Sequence, residues 1–407
     1  MIVIKLMQRG LKKALVLILI LFLLLGSYSY WAINRSVKLV YPTVTYRNQP
    51  ILTSTSLSWP NTGQSAVGIL RTNILDTHNT QTPVPTASTA KMVTALVVLQ
   101  SKPLKLGDKG PVVTLTQSDV DLYKSYLARQ GSVVPVQVGE QINEYQMLEA
   151  MFLPSANNMA DSLATWAYGS LANYSKAANS FLASHRITST KIGNDASGFN
   201  PITTSTSGDL VKIGELVMQN LILAQIVNMK FANDIPLDPI AKNVNYLLGT
   251  NNIIGIKTGN TDQAGGVYVS ASKTNVNGKD ITIITANTGS PTLGTAVSGS
   301  LPLITSSQSN FKSVISLKKG TTIGGYKEPW DNKFISAEVN RDLLSTVWGG
   351  SKSPDVQITM SKVTYPITVG SVVGNVSLIN NGSKVEENIY LAQNFNKPSI
   401  IWKLLHP

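Results

Sequence analysis

From Met92 to Leu99 the chain runs Met-Val-Thr-Ala-Leu-Val-Val-Leu, with no charged residue and apolar side chains on most sides of a helix drawn through it. A helix that is apolar all round cannot lie on a surface, so other elements must enclose it. Ser88 to Gln100 is therefore expected to be a buried central helix, entered after Pro83 and Pro85. The rest of the chain must build layers around it. With 407 residues, 43% of them hydrophobic and 14% charged, it has material for a sizeable core and for two domains plus extras.

The flanking sequence supplies those layers. Gln64 to Leu70 reads as a first strand, and residues 141–188 carry helical patterns of Ala, Leu, Met and Trp. Asp209 to Leu223 reads as one regular helix. Three strand-like runs follow, Ile253–Lys257, Val267–Ser272 and Ile281–Ala286, the last two joined across Asn277-Gly278, a hairpin signal. Helices in the middle flanked by antiparallel strands predict an α+β sandwich of sheet and helices. Composition shifts near Phe311. Beyond it lie short alternating runs (Val356–Met360, Lys362–Ile367, Val372–Leu378), broken by Gly349-Gly350, Gly370, Gly374 and Asn381-Gly382. These predict a small all-β domain. No repeat of 20–50 residues is present.

The N-terminus reads differently. Lys5, Arg9, Lys12 and Lys13 precede the run Ala14 to Leu25, and the uncharged stretch continues through Ser27, Tyr28 and Trp31 to Ile33. About 20 such residues span a bilayer as a helix. Cations on the N-terminal side predict a cytoplasmic N-terminus and an exported remainder. The competing reading is a cleaved signal peptide and a secreted product, but Tyr28, Tyr30 and Trp31 crowd the place where a small-residue cleavage site belongs. The expected partition is an anchor or signal segment at 1–33, a Thr/Ser/Asn/Pro-rich stalk at 34–60, a catalytic domain at 61–311 and a β domain at 312–407.

Charge and cysteine content narrow the function. Of a net +12, seven cations without an acid fall in residues 1–50, which leaves a weak +5 for the rest. No basic patch interleaved with aromatics suggests nucleic acid. The absence of cysteine excludes disulfides and thiolate chemistry.

Three short motifs carry chemistry. Ser88-Thr89-Ala90-Lys91 places a hydroxyl and an amine at i and i+3, on one helix face. A lysine whose pKa is lowered by burial can take the serine proton. Ser155-Ala156-Asn157 offers a proton-relaying hydroxyl and a backbone-binding carboxamide. Lys257-Thr258-Gly259 sets an ammonium and a hydroxyl on one strand, with a glycine that permits close approach, and suits a ligand carboxylate. Each is weak alone. Together, in this order, they are the motif set of penicillin-binding proteins and class A β-lactamases.

The chain resembles the low-molecular-mass penicillin-binding proteins, specifically the D-alanyl-D-alanine carboxypeptidases of peptidase family S11, over about residues 60–390. The likeness extends to Val138-Gly139-Glu140, Leu153-Pro154-Ser155, Asp195-Ala196-Ser197-Gly198, Ser205-Thr206, Asp209-Leu210, Thr261 and Ala264-Gly265. Asn158-Met159-Ala160 departs from it, because the family often has Asp-Ala there. No amphipathic membrane-binding helix is evident at the C-terminus. The resemblance implies a β-lactamase/transpeptidase-like catalytic domain acting on peptidoglycan stem peptides ending in D-Ala-D-Ala, with β-lactams as covalent inhibitors and no cofactor or metal. It implies Ser88 as nucleophile, Lys91 as its base and Ser155 as proton relay. Asn157 is implied to hold the substrate amide, Lys257 to set the electrostatics around Ser155, and Thr258 to bind the terminal carboxylate; an incoming carboxylate favours the charged form of Lys257, which is therefore expected to stay cationic. Gly259 completes the third motif, and the backbone N–H groups of Ser88 and Asn260 form the oxyanion hole.

Rival readings fare worse. A Ser-His-Asp hydrolase must draw on His78, His185 and His406, all in polar or terminal settings, and no H-E-x-x-H marks a zinc peptidase. A class A β-lactamase needs a glutamate to activate water. Between Asn157 and Lys257 the chain offers only Glu215. A peptidoglycan D,D-endopeptidase and a non-catalytic penicillin-binding sensor or scaffold are further alternatives; a scaffold is expected to lose one of the six motif side chains.

Overall fold

A computed structural model describes residues 2–35, 39–48, 53–236, 238, 240–350, 354–380 and 383–406. The chain forms two units. One comprises residues 53–312 with 348–351, and the other residues 1–52, 313–347 and 352–407.

The larger unit is framed by a five-stranded antiparallel sheet. Its strands are β1 (Gln64–Ile69), β2 (Leu75–His78), β3 (Ile253–Thr261), β4 (Gly265–Val276) and β5 (Lys279–Ser290), in the spatial order β3-β4-β5-β1-β2. β4 and β5 meet at Asn277 and Gly278, both with positive φ (53° and 81°), as a two-residue hairpin turn requires. Successive side chains of a strand point to opposite faces. Val267 and Val269 of β4 accordingly enter the main core, while Tyr268 between them packs on Ala296, Val297 and Ile304.

Helices fill both faces. Besides the N-terminal α1 (Ile2–Asn34), which belongs to the other unit, they are α2 (Lys91–Ser101), α3 (Gln117–Ala128), α4 (Glu144–Phe152), α5 (Asn157–Tyr168), α6 (Leu171–Ser184), α7 (Ser207–Gln219), α8 (Leu221–Val227) and α9 (Leu293–Gln308). Every residue of α2 from Lys91 to Leu99 is buried, as its sequence demanded. Its first motif residue lies one step earlier, in a 3-10 turn, Ala87–Ala90. The expected single helix from Asp209 to Leu223 is broken. α7 stops at Asn220, whose side-chain oxygen accepts from the N–H groups of Ile222 and Leu223, and α8 leaves at 105°. The asparagine ends one helix by capping the next.

The other unit holds a six-stranded antiparallel sheet in the order 42–44, 322–327, 334–338, 383–391, 372–380, 355–360. Its core is formed by Ile323, Tyr326, Ile335, Val376, Ile389 and Phe395. Pro42–Val44, in the segment read as a stalk, is a strand of this sheet, paired with 324–326. Lys362–Ile367 is not a strand. It makes only isolated bridges at Val363 and Ile367, because Pro366 has no N–H to give a ladder. Asn381-Gly382 lies outside the described residues. At the N-terminus α1 exposes an almost unbroken apolar surface from Leu15 to Leu25. A short C-terminal helix, α10 (Ile400–Leu405), packs at its end: the Tyr28 hydroxyl donates to the Leu404 carbonyl and the Lys403 ammonium to that of Ile33, each at 2.7 Å.

Candidate active site

The turn Ala87–Ala90 holds Ser88 half-buried, and Ala87 before it sits at φ 45°. A non-glycine residue there is strained, and such strain concentrates at functional sites. One helical turn later Lys91 is wholly buried. Its Nζ donates to Ser88 Oγ at 2.7 Å, to Asn157 Oδ1 at 2.6 Å and to the Ser197 carbonyl at 3.3 Å. Loss of water pushes the Lys91 pKa well below that of an ordinary lysine. The nearby Lys257 ammonium pushes the same way, and Asp195 and Asp161 oppose it.

Ser155, between α4 and α5, is the second strained residue, at φ 64°. Its hydroxyl accepts from Lys257 Nζ at 2.9 Å, and the same amine donates to the Thr258 carbonyl at 3.2 Å. The charge expected of Lys257 is the one it takes beside an incoming carboxylate; in the free site its surroundings oppose that charge. Burial alone brings its pKa down to about 7, so both forms are populated near neutrality. Gly259 is required by contact. A Cβ there meets Ser88 N and the Thr86 carbonyl oxygen, each at 3.0 Å. That glycine lets β3 lie against the Ser88 turn.

Ser88, Ser155, Asn157, Thr258, Gly259 and Asn260 line one cavity of about 250 Å³, with Phe199, Val244 and Leu293 as its apolar wall. Lys91 and Lys257 stand behind it, each touching a serine hydroxyl that opens into it. All the residues singled out by sequence are thus brought together. The histidines are elsewhere: half-buried His78 stacks on Trp59, His185 lies on Phe181 and His406 on Trp402. Glu215 of α7 faces Gly68 of β1 and does not reach the cavity.

Sequence reasoning missed the supports. Asp161 of α5 accepts from the Tyr126 hydroxyl at 2.6 Å and from Ala196 N at 2.8 Å. Asp195 accepts from the N–H groups of Ser197, Gly198 and Asn200. Together they fix the Ser197 carbonyl that meets Lys91. Asp195-Ala196-Ser197-Gly198 was visible as a likeness without a role. Asn158, the departure from the family pattern, pairs with both the N–H and the carbonyl of Val134 and so holds the Gly131–Val134 stretch.

The D-alanyl-D-alanine carboxypeptidase family profile matches residues 65–289, more than half of the chain. The chain belongs to this family. It is a serine-type D-Ala-D-Ala carboxypeptidase, a hydrolase of peptidoglycan stem peptides of the class that β-lactams bind. The carboxypeptidase fold agrees with solved structures. It is similar to penicillin-binding protein 5 from Haemophilus influenzae, with a TM-score of 0.58 and 19% identity over 85% of this chain and 100% of that one. It is also similar to the Streptomyces K15 DD-transpeptidase, with a TM-score of 0.54 and 24% identity over 63% of this chain and 98% of that one. No curated protein sequence matches it.

Proposed function

We propose that Ser88 is the nucleophile of this carboxypeptidase and Lys91 its base. The observation that carries the assignment is a fully buried amine 2.7 Å from a hydroxyl that lines the cavity. A neutral Lys91 takes the Ser88 proton as Oγ bonds to the carbonyl carbon of the penultimate D-alanine. The oxyanion is met by the backbone N–H groups of Ser88 and Asn260. The C–N bond then breaks as Ser155 gives its proton to the amine of the departing D-alanine and is reprotonated by Lys257 Nζ, 2.9 Å away. Water then adds to the ester and returns a proton through Ser155 to Lys257, while Lys91 gives its proton back to Ser88 Oγ.

Binding follows from the same groups. Asn157 Oδ1 is occupied by Lys91, so its Nδ2 remains to hold a substrate carbonyl. Thr258 receives the terminal carboxylate, Gly259 lets the peptide backbone approach, and Lys257 takes its charged form when that carboxylate arrives. The apolar N-terminal helix is an anchor or signal segment. We read α1 as a retained single-pass anchor with a cytoplasmic N-terminus and the catalytic unit outside. Exposed Ile400, Ile401 and Leu405 of α10 beside its end suit the same membrane face.

The test is mass spectrometry of purified muropeptides incubated with the protein. Loss of a single alanine is expected and should vanish in Ser88→Ala. Loss of a whole peptide arm instead assigns the enzyme to D,D-endopeptidases. N-terminal sequencing of the membrane fraction should find a start at or near Met1; a start between residues 26 and 40 overturns the anchor.

A further inference from the structure

A second cavity, larger than the catalytic one, lies between α3 and α5. Its volume is about 630 Å³. Half-buried Trp166, Leu122 and Leu171 form an apolar floor, and exposed Ser118, Asp121 and Thr165 stand around it. The floor includes an aromatic ring, with the Lys102 ammonium 5.4 Å from its centroid. The acids differ in availability. Asp119 is committed, accepting from Thr116 N, the Thr116 hydroxyl and the Ser162 hydroxyl. Among the described residues Asp121 accepts only from Gln117 Nε2, through one oxygen. Among the described residues the hydroxyls of Ser118 and Thr165 have no hydrogen-bond partner.

We infer that this groove binds the glycan strand to which the stem peptide is attached. A sugar ring offers an apolar C–H face on one side and hydroxyls at its edge. An apolar floor with one indole, rimmed by free hydroxyls and an open carboxylate oxygen, matches both. A lipid or an apolar peptide leaves the rim unsatisfied. The inference rests on the carboxypeptidase reading, since only then is the ligand of the small cavity joined covalently to a polysaccharide.

The distances allow one substrate to occupy both places. Ser125 of α3 lines the groove and Gln130, just past the end of that helix, lines the catalytic cavity. Three helical steps to Ala128 and two steps beyond it separate them by at most about 12 Å. A stem of about four extended residues reaches about 14 Å. A sugar held at the near end of the groove can therefore lay its own stem peptide across Ser88. The groove thus favours polymer over free peptide and biases the enzyme toward stems still on their strand.

The experiment uses the full chain in detergent and two substrates with the same stem, a free pentapeptide and uncrosslinked peptidoglycan. Thr165→Trp fills the groove from an exposed position, Asp121→Lys reverses its open charge, and Trp166→Ala removes the ring. We expect kcat/KM on the polymer to fall about tenfold, a difference of about 1.4 kcal/mol, with the free pentapeptide unchanged. Strands stripped of their stems by an amidase should bind the wild type and fail to bind Thr165→Trp. Because Trp166→Ala removes partly buried packing, the two exposed variants decide the matter if it unfolds. Equal losses on both substrates, or no binding of stripped strands to the wild type, overturn the proposal. So does groove-dependent binding of phospholipid vesicles without any of the stripped strands. Failure of the wild type to release D-alanine from either substrate sinks the carboxypeptidase reading instead, and the stripped-strand binding still tests the groove.

Discussion

Lys257 Nζ reaches Ser155 Oγ across 2.9 Å, joining a sheet strand to the loop between two helices. Both partners are buried, and the lysine titrates at about 7. Acylation kinetics with carboxylate-bearing β-lactams should therefore lose activity in the free enzyme as pH rises past about 7 and Lys257 gives up its proton. Lys257→Arg keeps the charge at every working pH. That variant should move the descending limb well upward and lose less activity than Lys257→Met. A descending limb that stays put in Lys257→Arg counts against the assignment.

Lys91 governs the opposite limb. Its pKa lies well below that of a free lysine, through burial and then through Lys257, so the fraction of neutral base grows as pH rises. Lys91→Met keeps the volume and removes the base. Its acylation rate should drop by about 10²–10⁴, the usual reach of general-base catalysis. The ascending limb seen in the wild type should also disappear. If it persists, another group is the base.

Ser88→Ala should abolish covalent labelling by a fluorescent penicillin and leave the melting temperature close to wild type, since Ser88 is only half-buried. Label found on a different serine by peptide mapping defeats the assignment.

Gly259→Ala tests the contact between β3 and the Ser88 turn. The added methyl meets backbone at 3.0 Å on both Ser88 and Thr86, where nothing can rotate away. Overpacking of this kind costs about 1–3 kcal/mol. Penicillin acylation should fall by more than stability does, because the displaced atom is the N–H assigned to the oxyanion hole. Acylation at the wild-type rate shows that β3 and the turn part without disturbing Ser88.

Glu215 offers a pH test away from the chemistry. Burial lifts its carboxyl to about 7 in the folded protein, above its usual 4.5. A raised folded pKa means that the neutral form fits and the charged form does not. Its contribution to stability is whole below about pH 4.5 and is lost as pH rises through about 7. Glu215→Gln should match the wild type at pH 4 and melt higher at pH 8. Equal melting temperatures at pH 8 show that the carboxylate is solvated when charged.

Much of this was legible along the chain. The all-apolar run behind Ser88 required an enclosed helix, and α2 is enclosed. Asn277-Gly278 required a two-residue turn, and β4 and β5 meet there. These are local rules, carried by side chains within a few residues of one another. Elements read only from alternation were less secure. Lys362–Ile367 alternates well, yet Pro366 withholds a donor. The helix from Asp209 to Leu223 has sound periodicity, yet Asn220 caps a new direction.

What the sequence determined by itself was the set of reactive groups and their order: a hydroxyl and an amine one helical turn apart, a second hydroxyl near an amide, and a lysine on a strand. Only the tertiary structure decided their protonation. Desolvation depends on what packs around an amine, and the elements around Lys91 and Lys257 come from segments far apart in the chain. The same packing brought Asp161 and Asp195 to the segment that carries the Ser197 carbonyl, and no periodicity marks residues that act by holding another backbone in place. It also lowered Lys257 to about 7, a shift that the motif alone does not show. Burial is a property of the assembled fold, so the pH at which these groups act could not be read from their names.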